Sequence, residues 1–366
     1  MRGQEGFMRL VLRMAGSARR GACVMNSYER VMATLQFKEP DRVPMAELLV
    51  DKRIYTALMP EAKEQCDFEE AFGLDVISTK AWYKTVWDKG PTFMDEWGIT
   101  YQRNSEAVAH PIEGPLKKPV AVESLAIPDP DAPERLGDLP RLVKRFKGRI
   151  PVMFGQRAFF LWAVNMSSFE NVLMWLILEP KFMHELFDRI LETSIRLARN
   201  AIRAGADIIV ETDDYAFNSG PLVSPQIFAE FMAPRMKKYA AAIHEEGGYL
   251  LKHTDGNVTK ILDLMVDAGI DGLQSIDPIA GMDIGLIKEK YGKKISLWGN
   301  VDCGNLMAFG SEKDIEEAVK DVLRRAAKGG GFVLTSCNSI PTSANPANYA
   351  AMIKYGHEYG KYPISV

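Results

Sequence analysis

Residues 249–277 read YLLKHTDGNVTKILDLMVDAGIDGLQSID. The stretch opens on a short apolar run and passes through a His-x-Asp-Gly turn. It then takes on helical periodicity over 258–268, stops at Gly269 and enters a second apolar run, GLQSIDP (272–278). Strand, helix and strand in that order, with a glycine stop, describe two strands lying parallel with a crossover helix between them.

The same rhythm extends in both directions. Downstream come ISLWGNVDC (295–303) and GFVLTSC (331–337), with amphipathic helices expected over 284–291 and 311–328. Upstream lie PVMFGQ (151–156), a long helical region over 168–204 that Pro180 divides, ADIIVET (206–212) and a helix over 224–246. Gly269, Gly292 and Gly329 serve as helix stops. The strands are short, rich in Val, Ile and Leu, and do not alternate strictly, the pattern of a sheet covered on both faces. RVPMAELLV (42–50) and GLDVISTK (73–80) are weaker candidates that raise the strand count to eight. Eight such units close a parallel (β/α)8 TIM barrel, an α/β fold. An open doubly wound sheet is the alternative, but no glycine-rich phosphate loop follows the first strand.

Residues 26–366 are thus expected to form a single barrel domain. The stretch 81–150, rich in Trp, Pro and Gly, is an insertion, a hairpin or lid over the barrel mouth. Residues 1–25 carry Arg2, Arg9, Arg13, Arg19 and Arg20 and no uninterrupted apolar core, so they read as a disordered or mis-started extension rather than a secretory signal. The domain then opens with a helix capped by Ser27.

The totals narrow the function. With 45 basic and 48 acidic residues the formal net charge is -3, which gives no reason to expect nucleic acid. Every apolar run near membrane-spanning length carries charges, so no membrane partner is expected. Four scattered cysteines (Cys23, Cys66, Cys303 and Cys337) form no disulfide framework, and a cytoplasmic setting follows.

In a parallel barrel the polar residues after each strand converge on one rim. Here those positions hold Glu211, Asp213 and Asp214, then His253 and Asp255, Asp277, Asp302 with Cys303, and Cys337. Each has a plain structural use as well: Asp255-Gly256 as a turn, Asp277-Pro278 as the lead into a helix, a buried cysteine as a small apolar group. The sharpest feature is His253-x-Asp255. Residues two apart on a strand face the same way, so both side chains can reach one ion. Cys337 would complete a three-ligand site with an open position, and zinc suits mixed N, O and S donors.

Four segments carry a resemblance: ERVMATLQFKEPDRVP (29–44), ETDDYAFNSGPLVSPQIFAEFMAPRMKKY (211–239), KHTDGNVTKILDLMVDAGIDG (252–272) and LWGNVDCGNLMAFGS (297–311). Through them the chain resembles the uroporphyrinogen decarboxylase superfamily, in particular its corrinoid-linked methyltransferases, from about residue 27 to the C-terminus. The resemblance implies a (β/α)8 barrel that binds zinc through a His-x-Cys pair on the fifth strand and a cysteine near the eighth. His253 and Cys337 match two of these ligands, and Asp255 stands where the middle cysteine would be. Aspartate keeps the ligand charge but hardens the site, which then favours an oxygen at the open position over a thiol.

The expected activity is accordingly zinc-dependent transfer of a methyl group from a methoxylated, aromatic small molecule to the cobalt(I) of a corrinoid protein. Asp277 or Glu211 would be a fourth ligand, and Asp213, Asp214 or Glu211 a proton carrier. Trp82, Tyr83, Phe160, Tyr215 and Phe217 would line the substrate pocket, with Arg157 against a substrate carboxylate. The alternatives are a methylcorrinoid:thiol methyltransferase, a metal-free decarboxylase of tetrapyrrole acetate groups, and a barrel that only binds. The decarboxylase would need arginines after the first strand, where this chain has AELLVDKR (46–53). No Asp-x-His-x-x-Gly cobalamin signature occurs in the chain, so the corrinoid would belong to a separate protein.

Overall fold

The computed structural model describes residues 24–105 and 108–366. The expectation for residues 1–25 therefore lies outside the described residues except for Val24 and Met25. Seven of the apolar runs become strands with parallel neighbours: β1 (Ile77–Lys80), β2 (Val152–Gln156), β3 (Ile208–Glu211), β4 (Tyr249–His253), β5 (Gly272–Gln274), β6 (Ser296–Val301) and β7 (Phe332–Ser336). Helices follow them along the chain, so the α/β class is observed. Every residue of β3, β6 and β7 is buried, which explains the unbroken apolar runs. The chain divides into two interleaved compact units. One holds the described residues up to Ser78 with Arg145–Val152 and Asp271–Val366; the other holds the described residues of Thr79–Lys144 and Met153–Ile270.

In the second unit β3 lies between β2 and β4. Met153 and Tyr249 are both opposite Ile208, and Gln156 and Lys252 are both opposite Glu211. Ser168 caps helix Phe169–Leu178, and Pro180 opens helix Pro180–Arg203, the division expected from the sequence. The helix expected over 224–246 is present but contains a π-turn at Phe228–Met232, and the one expected over 258–268 is confined to Leu262–Asp267. The inserted stretch carries more than a hairpin. Thr85–Asp88, Thr92–Asp95, Thr100–Gln102 and His110–Glu113 form a four-stranded antiparallel sheet in sequence order.

In the first unit β6 lies between β5 and β7, with Leu297 opposite both Leu273 and Phe332. Residues 42–50 do not form the expected strand. Only Met45 and Val50 make parallel bridges, to Leu334 and Ile340. Leu334 N–H donates to Pro44 O (2.9 Å) and Ala46 N–H donates back to Leu334 O (3.2 Å), while Pro44 has no N–H with which to extend the ladder toward the N-terminus. The first helix is capped by Asn26 rather than Ser27. Asn26 is extended (φ -72°, ψ 171°) and forms a capping box with Glu29, while the Ser27 hydroxyl donates to Asp75 (2.8 Å). Gly269 and Gly329 stop their helices in the left-handed region (φ 96° and 83°), whereas Gly292 stays right-handed.

Asp75 is buried between Arg30 and Arg42, each 2.7 Å away. Burial pushes its carboxyl up, but the two guanidinium groups outweigh it and hold the group below the usual carboxylate range.

Glu69 has no such partner. It is fully buried, one carboxylate oxygen takes Gln65 Nε2 (2.7 Å), and the other has no hydrogen-bond partner. Burial pushes its carboxyl up to about 8. The folded chain therefore holds a proton that the unfolded chain releases near the ordinary glutamate value. The stability linked to that proton is fully present below the ordinary value and is lost as pH rises through about 8. In urea unfolding between pH 5 and 9, Glu69→Gln is expected to flatten this decline; a decline as steep as in the parent would refute the assignment. No single helix among the described residues is long and apolar enough to cross a membrane.

Candidate functional site

In the second unit β3 and β4 end side by side, and their last residues and following loops gather the polar groups. His253 closes β4 and Asp255 lies two residues beyond it. His253 Nε2 is 3.6 Å from Asp255 Oδ1 and 3.9 Å from Asp214 Oδ1. Potential ligand atoms of Asp214, His253 and Asp255 all lie within 4.8 Å of one another, the one such cluster among the described residues. His253 is buried and both aspartates are half-exposed to nearly exposed (side chains 35% and 40%), so an ion held there would remain open to a small molecule. One imidazole and two carboxylates suit a divalent ion such as zinc and leave room at an oxygen-preferring position.

Backbone geometry fixes this cluster. Asp255 N–H donates to Asp214 Oδ1 (3.0 Å), and Tyr215 N–H donates to Thr254 Oγ1 (3.0 Å). Gly256 turns at φ 80°, and a Cβ there would lie 2.7 Å from backbone atoms of Ala216 and Phe217. Asn257 N–H donates to Phe217 O (2.9 Å) across the same close approach. The loop after β4 is therefore pressed against the Ala216–Pro221 hairpin, which glycine alone permits.

Beneath the cluster, Lys252 is fully buried against Glu211, with Nζ 2.5 Å from Oε2. Its ammonium also donates to Asp213 O and lies 4.5 Å from the centre of the Tyr215 ring. Burial pushes the Glu211 carboxyl up while Lys252 pulls it down. Asp213 is turned away from the cluster and accepts the N–H groups of Phe159, Phe160 and Leu161 (2.8–3.2 Å). It thus holds the start of helix Phe160–Met166. Asp213 and Glu211 are fully used as structural partners. Lys252 escaped sequence reading, since a lysine within an apolar strand gives no local sign of its partner.

The expected pocket residues do not form one lining. Phe160 and Tyr215 are core residues, tilted against each other (5.4 Å between centroids), with Phe160 edge-on to Phe187 and Tyr215 edge-on to Phe228. Tyr83 packs edge-on to Trp162 (5.0 Å), and Arg157 lies over the Trp162 ring (5.2 Å). Trp82 and Phe217 are exposed, at 47% and 61%.

The remaining candidates belong to the first unit. Cys337 Sγ is 3.6 Å from Cys303 Sγ and accepts Cys303 N–H (3.4 Å). The Cys303 contact, and then burial, push the Cys337 thiol far up. The proximity of Cys303 was missed because 34 residues separate the two cysteines. Asp277 accepts Ile279 N–H (2.8 Å) and Asp302 accepts those of Gly304 and Leu306 (2.7 and 3.0 Å), the turn and helix-start uses open to any aspartate.

Residues 96–359 match the family described as Uroporphyrinogen decarboxylase (URO-D). The chain is 26% identical over 263 residues to the uroporphyrinogen decarboxylase of Shewanella piezotolerans, covering 66% of this chain and 69% of that protein. It is 27% identical over 210 residues to the methylcobamide:CoM methyltransferase MtaA of Methanosarcina barkeri, covering 57% of this chain and 59% of that protein. The match thus spans less than two thirds of the methyltransferase's own length. A solved methyltransferase from Methanosarcina mazei superposes with a TM-score of 0.74 at 21% identity, over 92% of this chain and 99% of that one. That likeness concerns the fold and is consistent with a TIM-like barrel.

Proposed function

This chain belongs to the uroporphyrinogen decarboxylase family, and from that premise we propose that it is a corrinoid-linked methyltransferase. It takes a methyl group from a methoxylated aromatic donor and delivers it to the cobalt of a corrinoid carried by a separate protein. The Asp214–His253–Asp255 cluster carries this reading. Its two carboxylates and one imidazole, with no sulfur among them, favour an ether oxygen over a thiol as the group to be bound. The similarity to a methylcobamide:CoM methyltransferase supports a corrinoid as the methyl partner.

Zinc on these three residues would supply a Lewis acid for the departing ether oxygen. The chain itself orients and supplies protons. Asp214 Oδ1 is engaged by Asp255 N–H, so Oδ2 is the atom we assign to hold the ion or to pass a proton to the oxygen that loses its methyl. Asp213 and Glu211 become positioning residues, because their oxygens are occupied by the helix start and by Lys252. Cys337 and Asp277, in the other unit with Cys303, are left out of this assignment. The same reading takes the fold as a TIM-like barrel, in the cytoplasm beside its corrinoid partner.

The test is anaerobic incubation of zinc-loaded protein with methoxybenzoates and cobalt(I) cobalamin, followed by its visible spectrum. Methylcobalamin and the free phenol should form in equal amounts. Methyl transfer to a thiol without ether cleavage, or metal-independent decarboxylation of uroporphyrinogen, would overturn the proposal in favour of one of the two alternative activities.

A further inference from the structure

Two cations end neighbouring strands of the second unit. Lys80 is the last residue of β1 and Arg157 directly follows β2. The strands are joined there, Ala81 N–H donating to Gly155 O (2.9 Å). A Cβ on Gly155 would stand 3.8 Å from Lys80 Cβ, so the open side of this glycine faces the lysine. Arg157, two residues further along, is near enough to act electrostatically on Lys80. Neither cation forms an ion pair among the described residues.

Aromatic rings surround the arginine. Arg157 lies flat over Trp162, which is stacked on Trp97 (4.3 Å) and met edge-on by Tyr83. The nearby acid, Asp95, is buried, accepts the N–H groups of Trp97 and Ile99 (3.0 and 3.1 Å) and the Tyr101 hydroxyl, and acts electrostatically on Arg157, which bonds the same tyrosine. The indole N–H groups of Trp97 and Trp162 are buried without a hydrogen-bond partner. Burial first, and Arg157 second, lower the pKa of the Lys80 ammonium, although its side chain is open to solvent. Lys80 has no acid of its own and Arg157 shares one buried acid with Tyr101, so the two together keep positive charge that an anion would offset.

We propose that Lys80 and Arg157 form a carboxylate subsite, and that the small molecule bound by this protein is an aromatic acid. The planar guanidinium, held by Trp162, supplies a two-point contact, and the lysine supplies a point charge. Aromatic rings around the arginine suit the ring of the acid better than a sugar or an aliphatic chain. The inference rests on the reading of the donor as an aromatic ether, and it adds the group by which that ether is recognised.

The experiment is calorimetric titration without corrinoid, so that binding is judged apart from methyl transfer. The probes are 4-methoxybenzoate and its neutral amide, titrated into wild type, Lys80→Met, Arg157→Met and, as a surface control, Lys84→Met. The benzoate should bind at least about tenfold more tightly than the amide to wild type, because a charge-assisted contact exceeds a neutral one. Lys80→Met and Arg157→Met should each weaken the benzoate by about 10- to 100-fold and leave the amide unchanged. Lys84→Met should alter neither. Equal binding of acid and amide, undiminished binding in both variants, or no binding of the benzoate would overturn the proposal. Tighter binding of inorganic phosphate than of the benzoate would overturn it too. Normal benzoate binding with no demethylation would instead count against the methyltransferase alone.

Discussion

His253→Ala is expected to lose bound zinc and to lower methyl transfer by more than about 100-fold, since removing even an outer-shell partner of a ligand costs up to about that much. Its imidazole nitrogen is the one nitrogen donor in the cluster and stands 3.6 Å from one carboxylate and 3.9 Å from the other. Without it two carboxylates remain, which repel each other and bind a divalent ion weakly. Asp255→Ala should lose most of the metal as well. Metal content per chain, measured on proteins dialysed against micromolar zinc, decides the matter. About one equivalent in wild type and little in the variants is the expected pattern. A full equivalent in both variants would place the metal elsewhere. Compared without metal, wild type and His253→Ala should melt close together, since His253 is only just buried (9% exposed).

Lys252→Met should do the opposite, costing stability before it costs metal. The substitution leaves Glu211 buried (2% exposed) without its counter-cation. Breaking one side of such a pair costs about 3–5 kcal/mol, whereas replacing both partners by apolar groups is often close to neutral. The single variant should therefore melt several degrees lower, and Glu211→Leu with Lys252→Met should recover much of the loss. If the single variant melts with wild type, the pair contributes no net stability and the loops after β3 and β4 are held by their backbone bonds alone. A melting point in the double variant as low as in the single one would show that packing, rather than the unpaired charge, sets the cost.

These two residues also show how far the sequence could be read. His253 and Asp255 were legible because a local rule governs them: a strand places alternate side chains on one face, and β4 ends at His253 as its apolar run suggests. β2, β3 and β7 were legible as short, mainly apolar runs. Lys252 was not, since its stabilisation comes from Glu211 on the neighbouring strand, 41 positions away. Asp214 looked interchangeable with Asp213; only the folded loop turns one toward His253 and the other toward the helix start at Phe160. The stretch 42–50 has strand composition, but composition does not register one missing N–H at Pro44. The aromatic residues misled in a further way. Phe160 and Tyr215 have the character of a pocket lining and are buried in the core, because a ring that packs and a ring that binds are the same ring in sequence.

The bond from Asp255 N–H to Asp214 Oδ1 belongs to the backbone of residue 255, whatever side chain that residue carries. The loop's shape is secured by this bond, by Gly256 and by Asn257, so a different donor atom at position 255 would sit on an unchanged frame. Softness or hardness of the ion's surroundings is then an inheritable variable confined to one codon. A lineage could exchange sulfur for oxygen there, and with it the kind of atom its catalyst handles, without first rebuilding the scaffold.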